Sequence, residues 1–158
     1  MLSGCATPPL PEDSFSVVAL MAERLALARD VAWAKWADGL PVRDPEREKQ
    51  VVEKLARQGE AADIDGVLIT RFIRAQIEAS CLEQEAWMRR WNSGEPLPAG
   101  DPPALGALRS RLDRLSAMLV AEYAAAWNTP PAAARKKLEA TVIDPRSAAI
   151  AASGFVGS

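Results

Sequence analysis

The stretch DGVLITRFIRAQIEASCLEQEAWMRRW, residues 65–91, decides how this chain folds. Its apolar positions Val67, Leu68, Phe72, Ile73, Ile77, Leu82, Trp87 and Trp91 follow helical spacing, so one helix of about seven turns is expected. Asp63-Ile64-Asp65-Gly66 interrupts the pattern before it. The proline- and glycine-rich run from Asn92 to Pro103 reads as a surface loop after it.

Working outward, Val18, Met21, Leu25, Ala28, Ala32 and Trp36 predict an amphipathic helix over residues 17–36, beginning near Ser14 or Ser16 and ended by Gly39-Leu40-Pro41. Asp44-Pro45-Glu46 supplies an N-cap, a proline at the first helical position and an acid in the first turn. A second helix should therefore run from Pro45 to about Gln58, with Val51, Val52 and Leu55 as its apolar face. Downstream, a helix is expected from Leu105 to Trp127, and Pro130-Pro131 and Asp144-Pro145 start two shorter ones. No alternating strand pattern of useful length occurs. The fold class that follows is all-α, a bundle of about six helices with one long central helix and short antiparallel connections. Residues 13–158 read as a single helical domain, in which 13–92 form a core and 101–158 a C-terminal helical region, behind a tail at 1–12.

The 158 residues, 49% hydrophobic and 25% charged, suit one domain with a substantial core. A net charge of -2 and a pI near 5.3 argue against a nucleic-acid or membrane-surface binder, so any cationic site must be local. The chain has no histidine and two cysteines, Cys5 and Cys81, which excludes a His/Cys zinc site, a Ser-His-Asp triad and a Cys-His nucleophile. Cys81 reads as a small core residue, and it can pair with Cys5 only if the tail folds back. The opening Met1 to Pro11 resembles the end of a bacterial lipoprotein signal, with Leu2-Ser3-Gly4-Cys5 as lipobox and Cys5 as the acylated residue. The charged and apolar regions that precede such a motif are missing, which this reading attributes to a trimmed start. No stretch approaches the roughly 20 apolar residues of a membrane-spanning helix.

Polar residues on successive helical segments are the candidates for chemistry. Arg24 and Lys35 are 11 residues apart, which rotates them by about 20° and separates them by about 16 Å along a helix, so they share one face. Asp44, Arg47 and Glu48 fall within one turn at the start of the second helix, where Asp44 can cap the backbone. Ser80 and Gln84, at i and i+4, stack on one face of the long helix among apolar neighbours. Together Arg24, Lys35, Arg47 and Gln84 describe a cationic pocket without metal ligands, suited to anion binding and electrostatic catalysis. A solvated stripe, a cap with a surface ion pair, and an interhelical hydrogen bond remain the plain alternatives for the three groups.

These residues also carry a resemblance. Glu23-Arg24-Leu25, Val31 to Trp36, Leu40 to Glu48, and Ile69 through Ser80 to Gln84 resemble the all-helical AroQ-class chorismate mutases. The Ala-Lys-Trp element, Trp91 and the extra C-terminal helices resemble their secreted, gamma-type subclass. In the short cytoplasmic subclass a swapped partner chain supplies the fourth cation. In the secreted subclass a C-terminal arginine does so, and Arg109 matches it, with Arg111 and Arg114 close by. The cysteine pair with which some secreted members staple that region is absent.

The resemblance implies a chorismate mutase type II helical bundle that rearranges chorismate to prephenate without cofactor or metal. Arg24, Arg47 and Arg109 would clamp the two substrate carboxylates, and Lys35 and Gln84 would donate to the ether oxygen. Glu48, with Ser80 and Asp44, would meet the ring hydroxyl and orient Arg47. Val51, Ile77, Ala28 and Ala32 would form the apolar wall. A glutamine at position 84, where some members carry a glutamate, implies no acid optimum. A homodimer, and a periplasmic or secreted location with Cys5 as possible lipid anchor, follow by the same analogy. The competing readings are isochorismate pyruvate lyase on the same fold, and a non-enzymatic exported bundle binding a partner through Trp33, Trp36, Trp87, Trp91 and Trp127.

Overall fold

The structure, a computed structural model, describes residues 15–156, so the expectations for the tail and Cys5 lie outside the described residues. Within them the chain forms α1 (Phe15–Ala26), α2 (Ala28–Ala37), α3 (Pro45–Ala61), α4 (Gly66–Asn92), α5 (Leu105–Ala126), α6 (Pro131–Leu138) and α7 (Pro145–Ala152), and no strand. The single helix expected over 17–36 is corrected to two segments that meet at Leu27. There ψ flattens to −15° while φ stays helical at −72°, and Val31 N still donates to Leu27 O at 3.0 Å. α1 and α2 therefore make one bent rod, with α1 lying mainly on α5 and α2 mainly on α4. Counting that rod once gives six helices.

The capping chemistry sets the starts. Asp44 accepts from Arg47 N at 3.1 Å, Asp65 from Val67 N at 2.9 Å and Leu68 N at 3.0 Å, and Asp144 from Arg146 N at 3.0 Å. Prolines open α3, α6 and α7, where the missing N–H is not needed. α3 continues to Ala61, beyond the expected Gln58, because nothing breaks it until the turn in which Asp63 adopts φ 60°. Gly59 permits the close crossing there, since a Cβ would lie 2.6 Å from the Ile69 side chain.

α4 is the axis of the molecule. Ile69, Phe72, Ile73 and Ala79 enter a core shared with Val17, Met21 and Leu25 of α1, Leu119 and Tyr123 of α5, Leu138, Ala148 and Phe155. A second apolar cluster joins Ala32, Trp33 and Trp91, with Trp36, Trp87 and Met88 against it. Four of the five tryptophans thus cement α2 to α4, and Trp36 meets Trp91 edge-on at 5.8 Å. Trp127 alone of the five is exposed.

Polar ties, in place of a disulfide, hold the C-terminal helices. Gln76 Nε2 donates to Ala151 O at 2.9 Å and Arg71 to Ser153 O at 2.9 Å. Glu83, only 2% exposed, accepts from the backbone N–H groups of Ile143 at 2.6 Å and Asp144 at 3.2 Å, ahead of α7. Glu83→Ala would strand both donors, so it is expected to lower the unfolding free energy by about 2–3 kcal/mol. A urea titration should show a lower midpoint at unchanged slope, and an unmoved midpoint would mean the carboxylate does not hold α7.

Candidate active site

An open cleft lies between α1–α2, α3, α4 and α5. Arg24, Lys35, Asp44, Arg47, Glu48, Ser80, Gln84 and Arg109 all line it. The structure therefore brings these eight polar candidates to one place. Of the three C-terminal arginines, Arg109 reaches the cleft. Arg111 instead pairs with Glu23 on the surface at 3.0 Å, and Arg114 is exposed.

The apolar wall needs one correction. Val51 and Ile77 line the cleft as expected, but Ala28 and Ala32 do not, and Ala32 packs into the tryptophan cluster. Val31 and Leu112 take their place.

The four cations fall into two kinds. Arg47 and Arg109 stand at the α3–α5 boundary, each on a carboxylate: Arg47 Nη2 donates to Asp113 at 3.0 Å and Arg109 Nη2 to Asp44 at 3.4 Å. These pairs are partly solvated, so each contributes less than about 1 kcal/mol. Arg47 is thus oriented by Asp113, not by Glu48 as the sequence suggested. Glu48 turns back to accept from Asp44 N at 3.2 Å and faces the Cys81 thiol at 3.8 Å.

Arg24 and Lys35 are different, because both are buried at 7% exposure and, among the described residues, neither forms an ion pair. Arg24 donates from Nε to Ser116 Oγ at 3.2 Å and from Nη1 to Gln76 O at 2.7 Å. Burial lowers its pKa to about 10, still protonated at neutral pH. Lys35 Nζ donates to Val42 O and, at 3.0 Å, to Gln84 Oε1. Burial likewise holds its pKa below the ordinary lysine value, and the Arg109 charge adds to the effect. Buried cations resting on neutral acceptors are costly unless an anion completes them.

The donor count then becomes informative. An ammonium has three N–H groups and Lys35 uses two; the Gln84 amide has two and uses one, toward Ser80 Oγ at 3.2 Å. Among the described residues each therefore has one N–H without an acceptor, and both side chains line the cleft. Burial pushes the Cys81 thiol up to about 11, so it faces the cleft as an inert neutral group.

Several contributors escaped sequence reasoning. Asp113, Ser116 and Leu112 lie on α5 with Arg109, at the helical spacing 109, 112, 113, 116, so the stripe through Arg109 was the available signal. Arg43 grips Glu78 through both oxygens at 2.7 and 2.9 Å and Glu85 at 2.9 Å. It thereby pins the loop whose Val42 carbonyl holds Lys35. No local pattern marks it.

Comparison with known proteins agrees with this geometry. Residues 16–85, from α1 into α4, match the family described as chorismate mutase type II. A secreted chorismate mutase of Mycolicibacterium smegmatis is 28% identical over 130 residues, 80% of this chain and 72% of the relative. A bifunctional chorismate mutase/prephenate dehydratase of Enterobacter agglomerans is 42% identical over 74 residues, 47% of this chain, and the match spans only 19% of that protein's length. The crystal structure of a chorismate mutase from Burkholderia thailandensis superposes with a TM-score of 0.78 at 28% identity, covering 90% of this chain and 97% of that one. The fold is thus that of the all-helical chorismate mutases, C-terminal helices included. Over residues 16–85 the chain is similar to the type II chorismate mutase family, and over most of its length it shares the fold of a solved chorismate mutase.

Proposed function

We propose that this protein is a chorismate mutase that rearranges chorismate to prephenate inside the α1–α5 cleft. The observation that carries the reading is the pair of buried cations, Arg24 and Lys35, that rest on neutral groups and line one cleft with Arg47 and Arg109. A compact di-acid completes them. The reaction is unimolecular and moves no proton, which suits a chain without histidine.

Arg24 takes one substrate carboxylate, and Arg47 and Arg109, leaving Asp113 and Asp44, close on the other. Holding both carboxylates selects the folded conformer in which the bond-forming carbons meet. As the ether bond stretches, negative charge gathers on its oxygen, and the spare N–H groups of Lys35 and Gln84 stabilise it there more than in the resting substrate. Val31, Val51, Ile77 and Leu112 keep water away and strengthen each charge contact. Glu48 and Asp44 serve the ring hydroxyl, and Ser80 holds the Gln84 amide.

The test is product analysis of chorismate incubated with the purified protein. Prephenate supports the reading, whereas pyruvate formed from isochorismate, with chorismate untouched, would move the assignment to a lyase on the same scaffold. The pH profile adds a second check. Lysine acts here as its cation, and its lowered pKa means the charge is lost sooner as pH rises. kcat/KM should therefore stay level through neutral pH and fall on the alkaline side, with a midpoint below the ordinary lysine value of about 10.4. A limb at or above that value would count against Lys35 as the responsible group.

The M. smegmatis relative is named as secreted, and the lipobox-like Leu2 to Cys5 points the same way, so we assign the protein outside the cytoplasm, with Cys5 as its lipid attachment point. A homodimer is the expected assembly by analogy. Since the pocket uses Arg109 of its own chain, activity should not depend on the second copy.

A further inference from the structure

Arg24 has an unusual partner for a carboxylate-binding arginine. Its Nε, half of the side-on edge, one of the two edges through which a guanidinium can grip a carboxylate with two parallel bonds, is already spent on Ser116 Oγ at 3.2 Å. Nη1 gives one bond to Gln76 O, and among the described residues Nη2 gives none. A carboxylate approaching the Nε–Nη2 edge therefore finds one N–H, on Nη2, and a serine oxygen where the second N–H would be.

Ser116 resolves the mismatch. Its oxygen accepts from Arg24, and its own proton has no acceptor within the described residues, whereas Ser110, earlier on the same helix, donates back to Gly106 O at 3.1 Å. The side chain is buried, yet it lines the cleft beside Arg24. A hydroxyl that accepts from a guanidinium is polarised toward donation, so the positive charge is relayed one atom further into the cleft.

We propose that Ser116 is a substrate-binding residue: its Oγ–H, together with Arg24 Nη2–H, forms the two-pronged grip on one substrate carboxylate. The cation thus stays sunk in the wall while a neutral hydroxyl from α5 extends its reach. The C-terminal region contributes to this carboxylate as well as to the one that Arg109 meets. This rests on the chorismate mutase reading, and it adds a residue to it.

Ser116→Ala and Ser116→Cys test it, the second keeping the volume while replacing a strong donor by a weak one. Steady-state kinetics with chorismate and inhibition by a bicyclic dicarboxylate mimic of the transition state are compared with wild type, and folding is checked by thermal unfolding. The expected result is a KM and an inhibition constant raised about tenfold in Ser116→Ala and less in Ser116→Cys, with kcat within about threefold, because the carboxylate is held alike in ground and transition states. Unchanged KM and inhibition constant in a folded Ser116→Ala would overturn the proposal. So would a loss confined to kcat, which would place the serine in a purely structural role for Arg24. If Ser116→Ala fails to fold, Ser116→Cys decides alone, with wild-type KM as the overturning result. Failure of the underlying reading is distinguishable, since the wild type would then turn over no chorismate at all.

Discussion

Lys35→Ala is expected to lower chorismate turnover by at least about a hundredfold while the protein stays folded. Among the described residues the ammonium is the cation that bonds the Gln84 side chain, and losing a donor aimed at developing charge costs on the order of 3 kcal/mol, close to two powers of ten. Folding should survive, because α2 is anchored by Val31, Ala32, Trp33 and Ala34, all buried independently of the lysine. The substitution also removes a charge that burial disfavours, as its lowered pKa records. The measurement is kcat for the variant alongside its circular dichroism spectrum. A native spectrum with turnover within tenfold of wild type would remove Lys35 from the mechanism.

Gln84→Glu should be as damaging at neutral pH and should recover in acid. An ionised carboxylate at this position only accepts hydrogen bonds, so it would draw in Lys35 Nζ, now 3.0 Å from the amide oxygen, and present negative charge where the ether oxygen gains its own. Protonation restores a donor. The sign is therefore fixed: activity rises as pH falls through the pKa of the introduced group, against a level wild-type profile over the same range. We expect a loss of about a hundredfold at pH 7, shrinking below about pH 5, where carboxyl groups take up protons. Full activity of Gln84→Glu at neutral pH would show that no donor is needed at that position.

Much of this architecture was legible in the chain because its signals are local. Proline after aspartate set the starts of α3 and α7, and the long apolar periodicity set α4, whose observed limits fall within a residue of the expected ones. The cleft residues of the N-terminal half were legible through the family resemblance and helical arithmetic. The same arithmetic separates the two sides of the wall. Val31 is seven residues from Arg24 and only about 20° away from it around the helix, whereas Ala32 is rotated by about 80°. The bend at Leu27 and the pull of Trp33 and Trp91 then take Ala32 into the other core. What lay beyond the sequence were pairings over long separations, such as Arg24 with Ser116, Arg47 with Asp113 and Glu83 with Ile143. Their geometry exists only once α5 and α7 have docked.

The most direct test of the central claim is a crystal structure with a bicyclic dicarboxylate that mimics the transition state. The account predicts one carboxylate on Arg24, the other between Arg47 and Arg109, and the bridging ether oxygen within hydrogen-bond distance of both Lys35 Nζ and Gln84 Nε2. A ligand seated outside the cleft, or one inside it whose ether oxygen touches neither Lys35 nor Gln84, would contradict it.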